Sequence, residues 1–434
     1  MHRRTWLVPI AATALAMAPL GIVSAAQAAP AAAVPTTYYV DPAGNDANTG
    51  TSATAAWKSL AKVNGFAFNP GDTVQFKRGG AWTGTLTLSR SGEDGNPIKV
   101  AAYGSGNLPK IGGNVLNCVH VTGSYWFIGD LRASGCNWAG FELAGHHIAL
   151  DTIQADANVV GVSIVDGSNN NDIQWSTIVD NNKMSVNTKP TEPQYEDDDS
   201  GAFGFLIHGD DNYIAHNTVR GHFAPSYDYV YDGAAFEIDN GNRNWIEYNV
   251  TADNETFTEL GRNGTGKTAD GNVFAYNSVT SSKSQGSFLV TRGAQSNIGP
   301  VTNTEAVNNS VYLPAANGNG WSCFDGCNAG ILRLRGNVIQ VGGKTGYEDS
   351  FDTGNPADSA DEDHGVYLGS QTQFTLGPNS VSANPLFTST TDLRLRSGSP
   401  AIGRGEDYGW RQDLAGNSLV GLSRYDAGAY RFLG

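Results

Sequence analysis

Two glutamates in matching settings raise the first chemical question. Glu237 lies in Phe236-Glu-Ile238 and Glu259 in Thr258-Glu-Leu260. Each is the centre of an in-out-in strand pattern, with its neighbours turned to a core and the carboxylate turned out. Stacked strands would put the two carboxylates one strand spacing apart, about 4.7 to 4.9 Å. Two such anions repel, so one pKa rises, and a protonated acid stands beside an ionised base or nucleophile. That pairing equips a site for glycosidic-bond hydrolysis. Carboxyls about 5 to 5.5 Å apart suit retention of configuration, and a wider gap suits inversion. Asp239 shares the face of Glu237 two residues on and would supply the wider gap. His208 occupies the Asp239 slot one repeat earlier. The same face also admits a Ca²⁺ site or a plain solvated surface.

Other groups are expected around these four. His222, Tyr227 and Tyr229 lie in a Tyr-rich stretch that would overhang the face, where rings stack on sugars. β-Elimination from a uronic acid would instead need a base and a cation to neutralise the sugar carboxylate. His208, His222, Arg262, Lys267 and Arg292 are the candidates, with Ca²⁺ held by Glu237, Asp239 and Glu259. The register of Arg292 suggests the far side of a turn. Asp232-Gly233 and Asp253-Asn254 read as turn chemistry, with a metal or substrate contact as the alternative. The acidic run Glu196-Asp-Asp-Asp199, folded over the groove, would offer oxygen ligands for Ca²⁺ from Asp198 and Asp199. Hydrolysis by carboxylates requires no cofactor.

These residues need a scaffold that repeats. Short strands ending in a small polar residue recur from Tyr125-Trp-Phe-Ile-Gly129 to Asn272-Val-Phe-Ala-Tyr-Asn277 and beyond, in coils of about 20 to 30 residues with inserted loops. Asn217, Asn249, Asn277, Asn309 and Asn337 fall at the same point of successive coils. An Asn at a tight corner bonds backbone and tolerates left-handed φ, so these are read as a stacked amide ladder. A second repeat runs through Phe141-Glu-Leu143, Val162-Ser-Ile164, Phe205-Leu-Ile207, Phe236-Glu-Ile238, Thr258-Glu-Leu260 and Phe288-Leu-Val290. Residues 56–63 show apolar positions at helical spacing, a candidate cap for the open end of the solenoid.

The formal charge is −15, which disfavours nucleic acid and anionic membranes as partners. Charged residues are 16% and glycines number 54, a turn-rich all-β composition. A basic start, an apolar run and Ala26-Gln27-Ala28 read as a signal peptide over 1–28, followed by a linker over 29–36 and one domain over 37–434. The mature chain is thus expected outside the cell, as a monomer acting on an extracellular polysaccharide. Its four cysteines, Cys118, Cys136, Cys323 and Cys327, favour two disulfides in that compartment, and the last two would form a local staple. Zinc ligation is the alternative, though no matching His/Cys spacing accompanies them.

The opening Tyr38-Tyr-Val-Asp-Pro42, Trp57-Lys-Ser-Leu60 and Pro70-Gly-Asp-Thr-Val-Gln-Phe76, with Ala383-Asn-Pro-Leu-Phe387, Leu393-Arg-Leu-Arg-Ser-Gly-Ser-Pro-Ala401 and Asp426-Ala-Gly-Ala-Tyr430, resemble bacterial proteins of the pectate-lyase-like superfamily. The resemblance covers nearly all of the mature chain. It implies a single right-handed parallel β-helix with an N-terminal cap helix and a C-terminal β-rich cap. That superfamily holds lyases, hydrolases, epimerases and non-enzymatic domains, so it leaves hydrolysis, Ca²⁺-dependent elimination and non-catalytic glycan binding all open.

Overall fold

The computed structural model describes residues 34–193, 198–349 and 359–434. The expected signal peptide over 1–28 and residues 29–33 of the expected linker lie outside them, as do Glu196 and Asp197. Among the described residues the chain winds through three parallel sheets of 12, 12 and 11 strands, here sheets 1, 2 and 3. Each complete coil adds one strand to each sheet in that order, and each strand pairs with its counterpart on the next coil. This is the parallel β-helix expected from the repeats.

The inward positions form continuous columns. Ile173, Ile214, Ile246, Phe274, Ala306 and Leu334 stack inside sheet 1, all fully buried. In sheet 3 the rings of Phe205 and Phe236 stack at 5.1 Å, and those of Phe257 and Phe288 at 5.3 Å.

Amide ladders hold the corners. Between sheets 1 and 2 the Nδ2 of each Asn donates to the Oδ1 of the next, through Asn217, Asn249, Asn277, Asn309 and Asn337, at 2.9 to 3.1 Å. Each Oδ1 from Asn249 onward also accepts the backbone N–H of the preceding Asn. The residues just before this ladder, Trp175, His216, Tyr248 and Tyr276, have φ of 52° to 58°. Left-handed backbone is costly for such side chains, and the ladder bonds with ring stacking at 4.2, 5.1 and 5.7 Å offset that cost. A second ladder, Asn171, Asn212, Asn244 and Asn272, enters sheet 1 with bonds of 2.8 to 3.1 Å.

The ends depart from expectation. In place of a helix over 56–63 there is one helical turn, Leu60–Asn64. Asp46 takes the N–H groups of Lys58 and Ser59, and the Ser59 side chain caps the turn by accepting from Lys62. Trp57 stays extended, pairing with Val40 and stacking on Tyr38 at 4.8 Å. The Asn64 side chain bonds Thr85 O and Thr87 N, occupying the edge of the first strand of sheet 3. The tail from residue 383 holds only isolated bridges rather than a β-rich cap. It runs along the flank, where Trp410, Leu414 and Leu419 pack on Tyr248, Val273, Tyr276 and Val307.

Both disulfides are formed, Cys118–Cys136 and Cys323–Cys327, with Cα separations of 5.7 and 5.6 Å. Among the described residues no helix is long and apolar enough to cross a membrane.

Asn277 sits mid-ladder and is fully buried. Asn277→Ala strands the backbone and side-chain donors of Asn249 and removes the amide bonds to the Ile246 carbonyl and Asn309, whose Oδ1 keeps only the backbone N–H of residue 277. Denaturant unfolding should show a loss of about 3 kcal/mol, as buried polar groups left unpaired cost about 1–3 kcal/mol each. A loss below about 0.5 kcal/mol, typical of a surface change, would show the ladder to be dispensable.

Candidate active site

The strands Ala234–Asp239 and Thr256–Gly261 pair in parallel with Glu237 directly opposite Glu259. Their side chains share the outer face of sheet 3. Leu206 precedes them in this column and Val290 follows. The column thus continues through Val290, not Leu289 as the in-out-in pattern suggested. The cause is a bend where two consecutive residues turn inward. Ala235 and Phe236, Phe257 and Thr258, and Phe288 and Leu289 are all buried. The shift also corrects Arg292, which lies two residues beyond Val290 and so on the Glu259 face. Its Nη2 donates to Glu259 Oε1, forming an ion pair. The guanidinium also lies 5.5 Å over the Phe324 ring, while its buried Nη1 has no hydrogen-bond partner.

The electrostatics separate the two glutamates. Burial holds the Glu237 carboxyl well above the usual range, and the charges of Glu259 and Asp232 push the same way against Arg292. Glu259 is the partner held by a cation. Asp232 stands in the same cluster and is pushed up to about 7, first by burial and then by Glu255, Glu259 and Asp198. Burial also raises Glu255, which accepts from Thr256 Oγ1 at 2.6 Å and Gln285 Nε2 at 2.9 Å. Asp239 is raised by burial, with His208 and Lys267 opposing. His208 Nδ1 lies 2.9 Å from the Asp239 carbonyl and 3.6 Å from its Oδ2. The structure therefore gathers Glu237, Glu259, Asp239, His208 and Arg292 on one face.

Tyr227 and Tyr229 sit on a hairpin, Ala224–Ser226 with Val230–Asp232, and are about half exposed. Tyr229 donates to Asp198 at 2.7 Å, and Lys189 lies 5.1 Å over the Tyr227 ring. Gln285 bonds the carbonyls of Tyr229 and Tyr231 and so fastens the hairpin beside Glu255.

Several expected contacts are corrected. His222 is fully buried and cannot meet a substrate. It takes a ladder position at the corner into sheet 3, with its ring on the carbonyls of Asn181 and Ile178 and its N–H on Asn254. Burial lowers its pKa to about 4, so it is neutral at ordinary pH and its single ring N–H serves one of the two carbonyls. Arg262 is spent on the Gly299 carbonyl. Lys267 pairs with Asp166 beside a polar recess lined by Asn169, Asp210, Asn240 and Asn242. Asp199 accepts from Thr188, Ser226, Tyr227 and Asp228, which makes it a loop anchor. Asp198, Asp199 and Asp232 are not gathered as ligands, and among the described residues no three His, Cys, Asp or Glu are arranged to hold a metal ion. Asp232 was read as turn chemistry. Only the fold of the hairpin returns it to Glu237, and no local pattern signals that return.

No family model matches the chain. A lacto-N-biosidase of Bifidobacterium longum is 35% identical over 139 residues, 31% of this chain and 8% of the relative. Pectate lyase L of Dickeya dadantii is 29% identical over 152 residues, 31% of this chain and 35% of the relative. The chain thus matches only a minor part of either protein. Among solved structures, pectate lyase Pel9A superposes with a TM-score of 0.57 at 17% identity, over 92% of this chain and 97% of that one. The chain has the fold of a pectate-lyase-like β-helix. The GH136 lacto-N-biosidase of Eubacterium ramulus gives 0.55 at 16% identity, over 80% of this chain and 67% of that one. At these identities the likeness is one of fold.

The raised pKa of Asp232 has a stability consequence. A carboxyl raised on folding contributes stability below its unfolded pKa and loses it as pH rises through the folded value. For Asp232 that window runs from about 4 to about 7. Asp232→Asn should therefore unfold later than wild type at pH 8, by up to about 4 kcal/mol for a shift of about three units at roughly 1.4 kcal/mol each, and the gain should shrink by pH 5. Equal unfolding midpoints at both pH values would show that Asp232 is not held in this way.

Proposed function

We propose that this chain is an exported enzyme that hydrolyses glycosidic bonds in an extracellular polysaccharide, acting as a monomer and without a cofactor. The observation that carries the reading is the register of Glu237 against Glu259, with Arg292 paired to Glu259 alone. Glu237 holds a proton and donates it to the leaving glycosidic oxygen. Glu259, paired with Arg292, attacks the anomeric carbon or activates a water that does. Asp232 keeps a second proton near neutrality beside them. Asp239 and His208 flank the pair as polar contacts for sugar hydroxyls, and Tyr229 stands at the rim.

Charge supports a neutral sugar. Asp198, Asp232, Glu237, Asp239, Glu255 and Glu259 crowd the face. Arg292, Lys267 and Arg262 already serve Glu259, Asp166 and Gly299. Even with Glu237 protonated, a uronate would find Arg292, Lys267 and Arg262 already engaged rather than free to neutralise its carboxylate. The N-terminal stretch that reads as a leader and both disulfides support export. A second reading, β-elimination on a uronic-acid polymer, is favoured by the sequence match to pectate lyase L.

Glu237→Gln and Glu259→Gln should each lower kcat/KM by about 10²- to 10⁴-fold while leaving the circular dichroism spectrum unchanged. Activity should fall as pH rises past about 7, where Asp232 loses its proton. Full activity in both variants removes the stacked-carboxylate mechanism. New reducing ends without ultraviolet-absorbing products mark hydrolysis. Unsaturated products, lost on chelation and restored by Ca²⁺, would transfer the site to elimination.

A further inference from the structure

The outer face of sheet 3 is not uniformly open. Reading along the Glu237 column toward the N-terminus, Leu206 is 8% exposed and Ser163 2% exposed, although both occupy outward slots. One coil further, the face reopens at Glu142, and beside it at His120. A local cover therefore lies over two coils, immediately on the N-terminal side of Glu237.

The cover is built from insertions at the corner between sheets 2 and 3. The coil that carries Leu206 is interrupted by the hairpin Met184–Val186 with Ser200–Gly201. The coil that carries Glu237 is interrupted by the Tyr227 hairpin. The two insertions are tied together. Asn187 Nδ2 donates to Pro225 O at 3.0 Å, and Asp199 accepts from Ser226, Tyr227 and Asp228. Lys183 fastens the first hairpin to the Cys136 carbonyl at 3.0 Å. Beneath them Ala139, Val160, Phe203, Leu206 and Ala234 form a buried apolar cluster on what would otherwise be exposed sheet. Apolar burial of that kind seals against water and leaves no polar group to receive a sugar.

The C-terminal side is different. Val290, Ser322 and Tyr347 continue the column and are partly exposed. Phe324, beyond Arg292 in the adjoining column, is 36% exposed. Its ring lies 5.5 Å from that of Tyr347, with Arg292 over one ring and Lys344 over the other. Exposed rings with cations above them are suited to the apolar faces and hydroxyls of sugars. From Glu259 to Tyr347 is three coils, about 14 Å at the spacing of stacked strands.

We propose that the site is blind-ended. It receives the terminus of a glycan chain against the double-hairpin wall, and the rest of the chain leaves over Phe324 and Tyr347. The enzyme then releases short products of one size from chain ends and does not cut internally. This rests on the catalytic reading above.

The test uses the mature wild-type protein on a panel of neutral polysaccharides. For the polymer that is cleaved, one small product should dominate from the first time points, while solution viscosity stays nearly constant. A cyclic oligosaccharide with the same linkage should resist. Early products of mixed length with a rapid fall in viscosity, or cleavage of the cyclic substrate, would overturn the blind-ended site while leaving the hydrolase reading intact. Cleavage of nothing in the panel would remove the catalytic reading and this one with it. Tyr347→Ala should raise KM for long substrates about ten-fold, equivalent to roughly 1.4 kcal/mol, with kcat kept and the shortest cleaved substrate unaffected. An equal loss on short and long substrates would show that this ring does not carry the departing chain.

Discussion

The paired hydrogen bond between side-chain amides on successive coils is the interaction on which the rest depends. Each interior Asn gives one N–H to the carbonyl behind it and one to the next amide, and its own oxygen receives two donors from the coil before. A corner held this way has no freedom to slip. Slip matters because the side-chain period of a strand is two, and a shift by one residue reverses every face. The ladders therefore do more than fill polar vacancies at the turns. They decide that Glu237 stands over Glu259 and that Phe236 stands inside.

Once that register holds, the electrostatics follow. Carboxyls on neighbouring coils cannot separate, and the cost of their proximity is met by protonation on one side and ion pairing on the other. Arg292 reaches Glu259 from two residues beyond Val290, with its guanidinium over the Phe324 ring. Asp232 adds a third carboxyl from outside the sheet, through a hairpin fastened by Gln285 and Glu255. The face is thus a small region of suppressed ionisation within a chain of strongly negative charge.

Much of this was legible in the residues, for identifiable reasons. The Asn217-to-Asn337 ladder showed because no other side chain gives a donor and an acceptor at that reach, so the type recurs. The Glu237–Glu259 stack showed because parallel strands preserve phase. The second ladder did not show, although Asn212, Asn244 and Asn272 were plain in the repeats, because one corner was enough to explain an Asn. Arg292 was placed on the wrong side because two successive inward residues at a bend break the alternation. Asp232 depends on a hairpin that leaves the coil, and nothing near it in the chain announces where that hairpin lands. His222 also shows that a ladder rung need not be an amide when its ring can meet two carbonyls.

The hairpins that enclose the face enter at one corner only, between sheets 2 and 3, and each leaves and rejoins its coil without disturbing the pairing above or below. Reactive groups and enclosure thus reside in separable parts of the chain. The carboxylates belong to strands whose phase is locked, and the wall belongs to segments whose length is free. A change in the Met184–Gly201 hairpin would remodel the shape of the cleft and leave the proton chemistry alone, whereas the Tyr227 hairpin carries Asp232 and ties shape to charge, so selectivity in such a molecule can diverge through the first without renegotiating its catalytic apparatus.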